Sequence, residues 1–254
     1  MIRKISGITS ILFFAGAILA SCTGMSKASS EEDADNKQDD NPSEMKGEVT
    51  REIKPENIPA EMKRQAEILQ SLGIDGISED LIKRETEELQ NLIDLTDMPV
   101  NIGGLKLGRL NIAGMLLRSV GYGNLSKTVY SFEWETYDID RMYTEFCQGV
   151  LKINQNEFTI SEISEVDFGD DEQIRIDFKY NDTNYYVELN LTGDWFNMKF
   201  FNFFNEVLEK ENNPKRLYIL GDDQHGAVVF YNTEEWAKEF TRKSGLMLST
   251  KVSE

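Results

Sequence analysis

The sequence predicts an α+β fold: a mostly antiparallel sheet covered on one face by helices and preceded by a helical segment. Three observations predict it. Apolar residues recur at helical spacing from residue 57 to about 120, and the period falls to two from about residue 128. Ile174, Ile176 and Phe178 alternate with Arg175, Asp177 and Lys179, and Val187, Leu189 and Leu191 alternate in the same way beyond "NDTN", which is the pattern of a hairpin. The stretch "GDWFNMKFFNFFNEVLEK" carries a wide apolar helical face that must lie on a sheet or on a partner, and a sheet needs such a cover.

Each element can be justified in chain order. Ile58, Met62, Leu69 and Leu72 form one helical stripe, which Gly73 and Gly76 interrupt. Ser78 is placed to cap a second helix, with Glu79 and Asp80 in its first turn and Leu81, Ile82, Leu89, Leu92 and Ile93 on its apolar face. Pro99 and the glycines of "NIGGLKLGRLNIAG" break the pattern before a short helix at 110–120. "TVYSFEWETY" alternates Tyr130, Phe132 and Trp134 with Ser131, Glu133 and Glu135, a half-buried strand. A helix over 142–151 follows, with Asp138 or Asp140 as its expected cap, and Met142, Tyr143, Phe146, Cys147, Val150 and Leu151 fall on one face. "EFTISEISEVDF" reads as a strand with one slip in register. In the next helix Asp194 is the expected cap, Phe196, Phe200, Phe203, Phe204, Val207 and Leu208 form the face, and Trp195 is expected in the core with them. "RLYIL" and "AVVFY" are short strands around "GDDQHG", and Thr233 caps a last helix that Gly245 ends.

The first 56 residues concern address. Arg3 and Lys4 precede an apolar run at 8–19, which is too short for a helix that must cross roughly 30 Å of hydrocarbon. A basic start, a short apolar core and small residues before a boundary describe a secretory signal. Leu19-Ala20-Ser21-Cys22 resembles the lipobox of bacterial lipoproteins. The resemblance implies acylation of the Cys22 thiol, cleavage after residue 21, and a membrane partnership through the lipid in the bacterial cell envelope. Residues 23–56 hold almost no large apolar side chains and read as an acidic, disordered tether, so the expected parts are a signal at 1–21, a lipidated tether at 22–56 and one α+β domain at 57–254. That domain divides into a helical part, 57–120, and a sheet-containing part, 121–254.

Charge and cysteine count narrow the function classes. The chain has net charge −18, of which residues 57–254 contribute −15 from 35 acidic and 20 basic side chains. A body this acidic does not suit nucleic acid or direct docking on anionic lipid, and it suits a basic protein partner. With Cys22 acylated, Cys147 is the one remaining thiol, so no intramolecular disulfide can form. On an apolar helix face it reads as buried and inert. A nucleophilic cysteine would need a base, and the single histidine, His225, is remote in sequence.

Candidate chemistry is sparse. Asp222, Asp223 and His225 are metal-ligand types, but "GDDQHG" reads first as a hairpin tip, with no second cluster to complete a coordination shell. Asp222 and Asp223 are therefore the candidate partner-binding residues. "DFGDDE" at 167–172 has the look of a kinase metal triplet without the other kinase motifs, and reads as a turn. Glu133 and Glu135 could form a glycosidase-type pair, though such pairs arise by chance in an acidic chain. No catalytic residue, cofactor or metal is expected, and the protein is not expected to be an enzyme.

The stretches "VYSFEWETYDIDRMYTEF" and "GDWFNMKFFNFFNEVLEKENNPKRLYILGDDQHGAVVFYNTEEWAKEF" resemble a recurrent domain of uncharacterised bacterial proteins, some of which are suspected immunity proteins for secreted toxins. The likeness covers roughly 128–240, rests on spaced aromatics and turns, and carries over no functional residue. Two functions from different classes follow. One is a lipid-anchored protein-binding module, an immunity protein being its specific form. The other is a small-molecule-binding or structural envelope lipoprotein whose aromatic helix lines a pocket.

Overall fold

The computed structural model describes residues 53–96, 109–135, 141–167, 173–191, 193–221 and 226–252. The fold is α+β. Its helices are α1 (Ile58–Ser71), α2 (Glu79–Thr96), α3 (Arg109–Tyr122), α4 (Met142–Ile153), α5 (Lys199–Lys210) and α6 (Glu234–Ser244). Its strands are β1 (Tyr130–Glu133), β2 (Ile160–Asp167), β3 (Gln173–Tyr180), β4 (Thr183–Asn190), β5 (Arg216–Gly221) and β6 (Gly226–Asn232).

The strands divide into two antiparallel sheets where the sequence reading expects one. The central sheet has the order β1-β6-β5 and the second has the order β2-β3-β4. The helices α4 and α5 lie between the sheets: Phe146, Phe200, Phe201 and Phe204 share one apolar cluster with Phe132, Leu217 and Val229 of the central sheet and with Ile174, Ile176 and Phe178 of the second. On its other face the central sheet presents Tyr218, Val228 and Phe230 to α1, α3 and α6. It is thus covered on both faces rather than one, which explains why β6 reads as an unbroken apolar run and is buried along nearly its whole length. Ile53 already packs against this second cluster, ahead of the expected boundary at residue 57.

Local chemistry sets several element ends. Ser78 Oγ accepts from the Leu81 N–H at 3.1 Å, Thr233 accepts from the Trp236 N–H, and Gly245 closes α6 at φ 76°. The slip in β2 is a bulge between Ser161 and Ser164, with Glu162 at φ 53°. A two-residue turn, Asn181-Asp182, joins β3 to β4, and Asn181 takes the positive φ that asparagine tolerates.

Two expectations need correcting. Asp194 does not cap α5. The chain stays extended through 195–196, where Phe196 N–H donates to the Trp134 carbonyl at 2.6 Å, and the helix starts at Lys199, whose N–H donates to Asn197 Oδ1. Trp195 consequently lies at the surface, 36% exposed, while Phe200 and the unanticipated Phe201 are fully buried. The start of α4 is capped from a distance: Glu165 of β2 accepts from both the N–H and the hydroxyl of Thr144 at 2.6 Å. Asp138 and Asp140, the expected caps, lie outside the described residues.

Candidate functional site

Cys22, Asp222, Asp223 and His225 lie outside the described residues. The strands that lead to 222–225 end at Gly221 and resume at Gly226, which pairs with Glu133 of β1. A Cβ at Gly226 would sit 3.0 Å from the Tyr122 hydroxyl and 3.4 Å from the Arg118 guanidinium.

A groove of about 450 Å³ opens at this corner. Its floor is β1, and its walls are the C-terminal turn of α3 and one stripe of α4 carrying Glu145, Gln148 and Lys152. Two glycines let these helices approach the strand. Gly121 of α3 lies against the Ser131 side chain, and Gly149 of α4 lies flat under the Tyr130 ring, so a methyl at either position would overlap its neighbour. The ring of Phe132 meets that of Phe146 edge-on at 5.4 Å. With Gly149 beneath Tyr130 and Phe146 beside Phe132, α4 runs antiparallel to β1.

This packing polarises the groove. Exposed Glu133 and Glu135 lie towards one end, with exposed Glu145 on the adjoining wall. At the other end Lys152 Nζ donates to Asn124 Oδ1 at 2.8 Å, tying α4 to the turn after α3. Tyr130, between them, is held protonated: burial pushes its phenol up, and the nearby Glu145 adds to the shift.

The two edges of the central sheet differ. The outer edge of β5 is covered by the C-terminal segment, with Ile219 N–H to the Ser249 carbonyl at 2.8 Å and Ser249 N–H to the Ile219 carbonyl at 3.0 Å. Asn205 of α5 fastens this arrangement, donating to the carbonyls of Leu217 and Thr250 and accepting from the Leu217 N–H. Within 130–133, none of the described residues bonds the backbone groups that point away from β6; just past the strand the chain is already paired, with Trp195 bridging Glu135 and Phe196 N–H donating to the Trp134 carbonyl.

Chemically, the groove offers exposed carboxylates to a basic group. Cys147, the one thiol among the described residues, does not line it: it is fully buried in the α4–α5 core, and that burial pushes its thiol well above the ordinary range. Among the described residues no group of three His, Cys, Asp or Glu side chains is arranged to hold a metal, and no helix is long and apolar enough to cross a membrane. Sequence reasoning placed Glu133 and Glu135 on a strand but missed the groove, Glu145 and Lys152. The available signal was Gly149, a small residue inside an otherwise bulky apolar stripe. No protein-family model, curated protein or solved structure matches the chain.

Proposed function

We propose that the protein is a lipid-anchored, extracytoplasmic, non-enzymatic binding module for a basic protein, acting in the bacterial cell envelope, and that neutralisation of a secreted toxin is its specific form. The observation that carries this reading is the convergence of Glu133, Glu135 and Glu145 on one open groove of a body with net charge −15. Complementary charge speeds encounter with a basic partner and discriminates against acidic ones. The alternative, a small-molecule carrier with a pocket under the aromatic helix, is less well supported, because the α5 aromatics Phe200, Phe201 and Phe204 are packed between the sheets with no exposure.

The experiment is affinity capture on the immobilised chain starting at residue 53, from culture medium and from membrane-depleted extract, at low salt. The expected result is retention of a basic protein that elutes as salt rises, since exposed charges are screened beyond roughly 8 Å at physiological ionic strength. Retention of an acidic or neutral protein that salt does not release would overturn the reading.

A further inference from the structure

We propose that the outer edge of β1 takes an extended, basic segment of the partner protein as an added strand. This rests on the protein-binding reading above and gives it a geometry. In an antiparallel ladder alternate residues turn their N–H and C=O groups away from the neighbouring strand. Half of the β1 backbone groups therefore face away from β6, and none of the described residues bonds them. An unpaired edge is a template for a further strand, with main-chain hydrogen bonds supplying affinity and side chains supplying selectivity. The molecule already uses this pairing at its opposite edge, where its own Ser249 bridges Ile219, and just past β1, where Trp195 bridges Glu135.

The surroundings of β1 state the chemistry of the occupant. Glu133 projects from the strand, Glu145 stands on the α4 wall, and Lys152 closes the other end through Asn124; Glu135 lies past the strand, where Trp195 already bridges it, so the added strand is confined to 130–133. A second copy of this chain is disfavoured, because its body carries −15 and its own β1 would bring the same glutamates. Charges on an edge strand guard against such self-pairing. A strand with lysine or arginine at alternate positions is matched to the edge, with its basic side chains nearest Glu133 and Glu145.

The test uses the full chain in detergent and a blocked ten-residue peptide of alternating lysine and valine. Hydrogen exchange of the backbone at 130–133 should slow when the peptide is added. The same peptide methylated at every backbone nitrogen keeps its charges but loses its main-chain donors, and should bind at least tenfold more weakly. The double variant Glu133→Lys/Glu145→Lys should also weaken binding at least tenfold at an unchanged melting temperature, since both side chains are exposed. No protection at 130–133 under saturating peptide, or equal binding of the methylated peptide, overturns strand addition. If binding then still falls with salt and with charge reversal, the acidic docking reading survives alone. If neither peptide nor captured partner responds to salt or to the double variant, both readings fall.

Discussion

Asn205 shows how one polar side chain fixes a boundary of the fold. It is 7% exposed, and its amide satisfies both backbone groups of Leu217 and the carbonyl of Thr250. Removing it strands buried donors and acceptors, each costing about 1–3 kcal/mol. Asn205→Ala should therefore lower stability by about 2–4 kcal/mol in denaturant unfolding; a loss below about 1 kcal/mol would mean that water replaces the amide. Asp75 performs a similar task between the loop after α1 and the turn before β1, accepting from the Ser126 and Thr128 hydroxyls and from the Lys127 N–H. Burial raises its pKa, but these hydrogen bonds together outweigh burial and hold the carboxyl below its ordinary value. A depressed folded pKa gives stability that is present above the unfolded pKa of about 3.9 and lost as pH falls through the folded one. The wild-type advantage over Asp75→Asn, about 1 kcal/mol for so exposed a site, should be constant from pH 5 to 8 and shrink below about pH 4. A difference that grows on acidification would contradict this assignment.

The β1 strand exists in its present form because two helices can reach it, and both do so over glycine. Gly149→Ala would force the Tyr130 ring off α4, and overpacking of this kind costs about 1–3 kcal/mol. The same variant should open the groove and weaken partner binding by displacing Glu145. Unchanged stability would show that the ring moves aside without strain. Much of this architecture was legible in the sequence. The β3–β4 hairpin, the bulge in β2, the Ser78 and Thr233 caps and the burial of Cys147 all follow from local pattern and local hydrogen bonding. The division into two sheets was not legible, because no local signal states which strands pair. One clue was present: "AVVFY" has no polar alternation, which fits a strand covered on both faces. Asp194 misled because a good capping residue cannot act where the chain is held extended by a distant partner, here Trp134. The groove escaped detection because its walls come from segments joined only by tertiary packing.

At the scale of the whole molecule, the proposed function joins the charge distribution to the proposed address. Removing residues 1–21, which carry +2, leaves a mature chain of net charge −20 on a lipid at Cys22 in the proposed form. Replacing Cys22 by Ser should leave an uncleaved or soluble product that no longer requires detergent for extraction, and unchanged membrane partitioning would end the lipoprotein reading. The function itself is tested most directly by the association rate of the captured partner, measured against ionic strength for the wild-type chain and for Glu133→Lys/Glu145→Lys. Electrostatic steering through the β1 groove predicts that the wild-type rate falls steeply with salt while dissociation changes little, and that the double variant is several-fold slower at low salt with a flatter dependence. A rate that is independent of salt and equal in the two chains would contradict it.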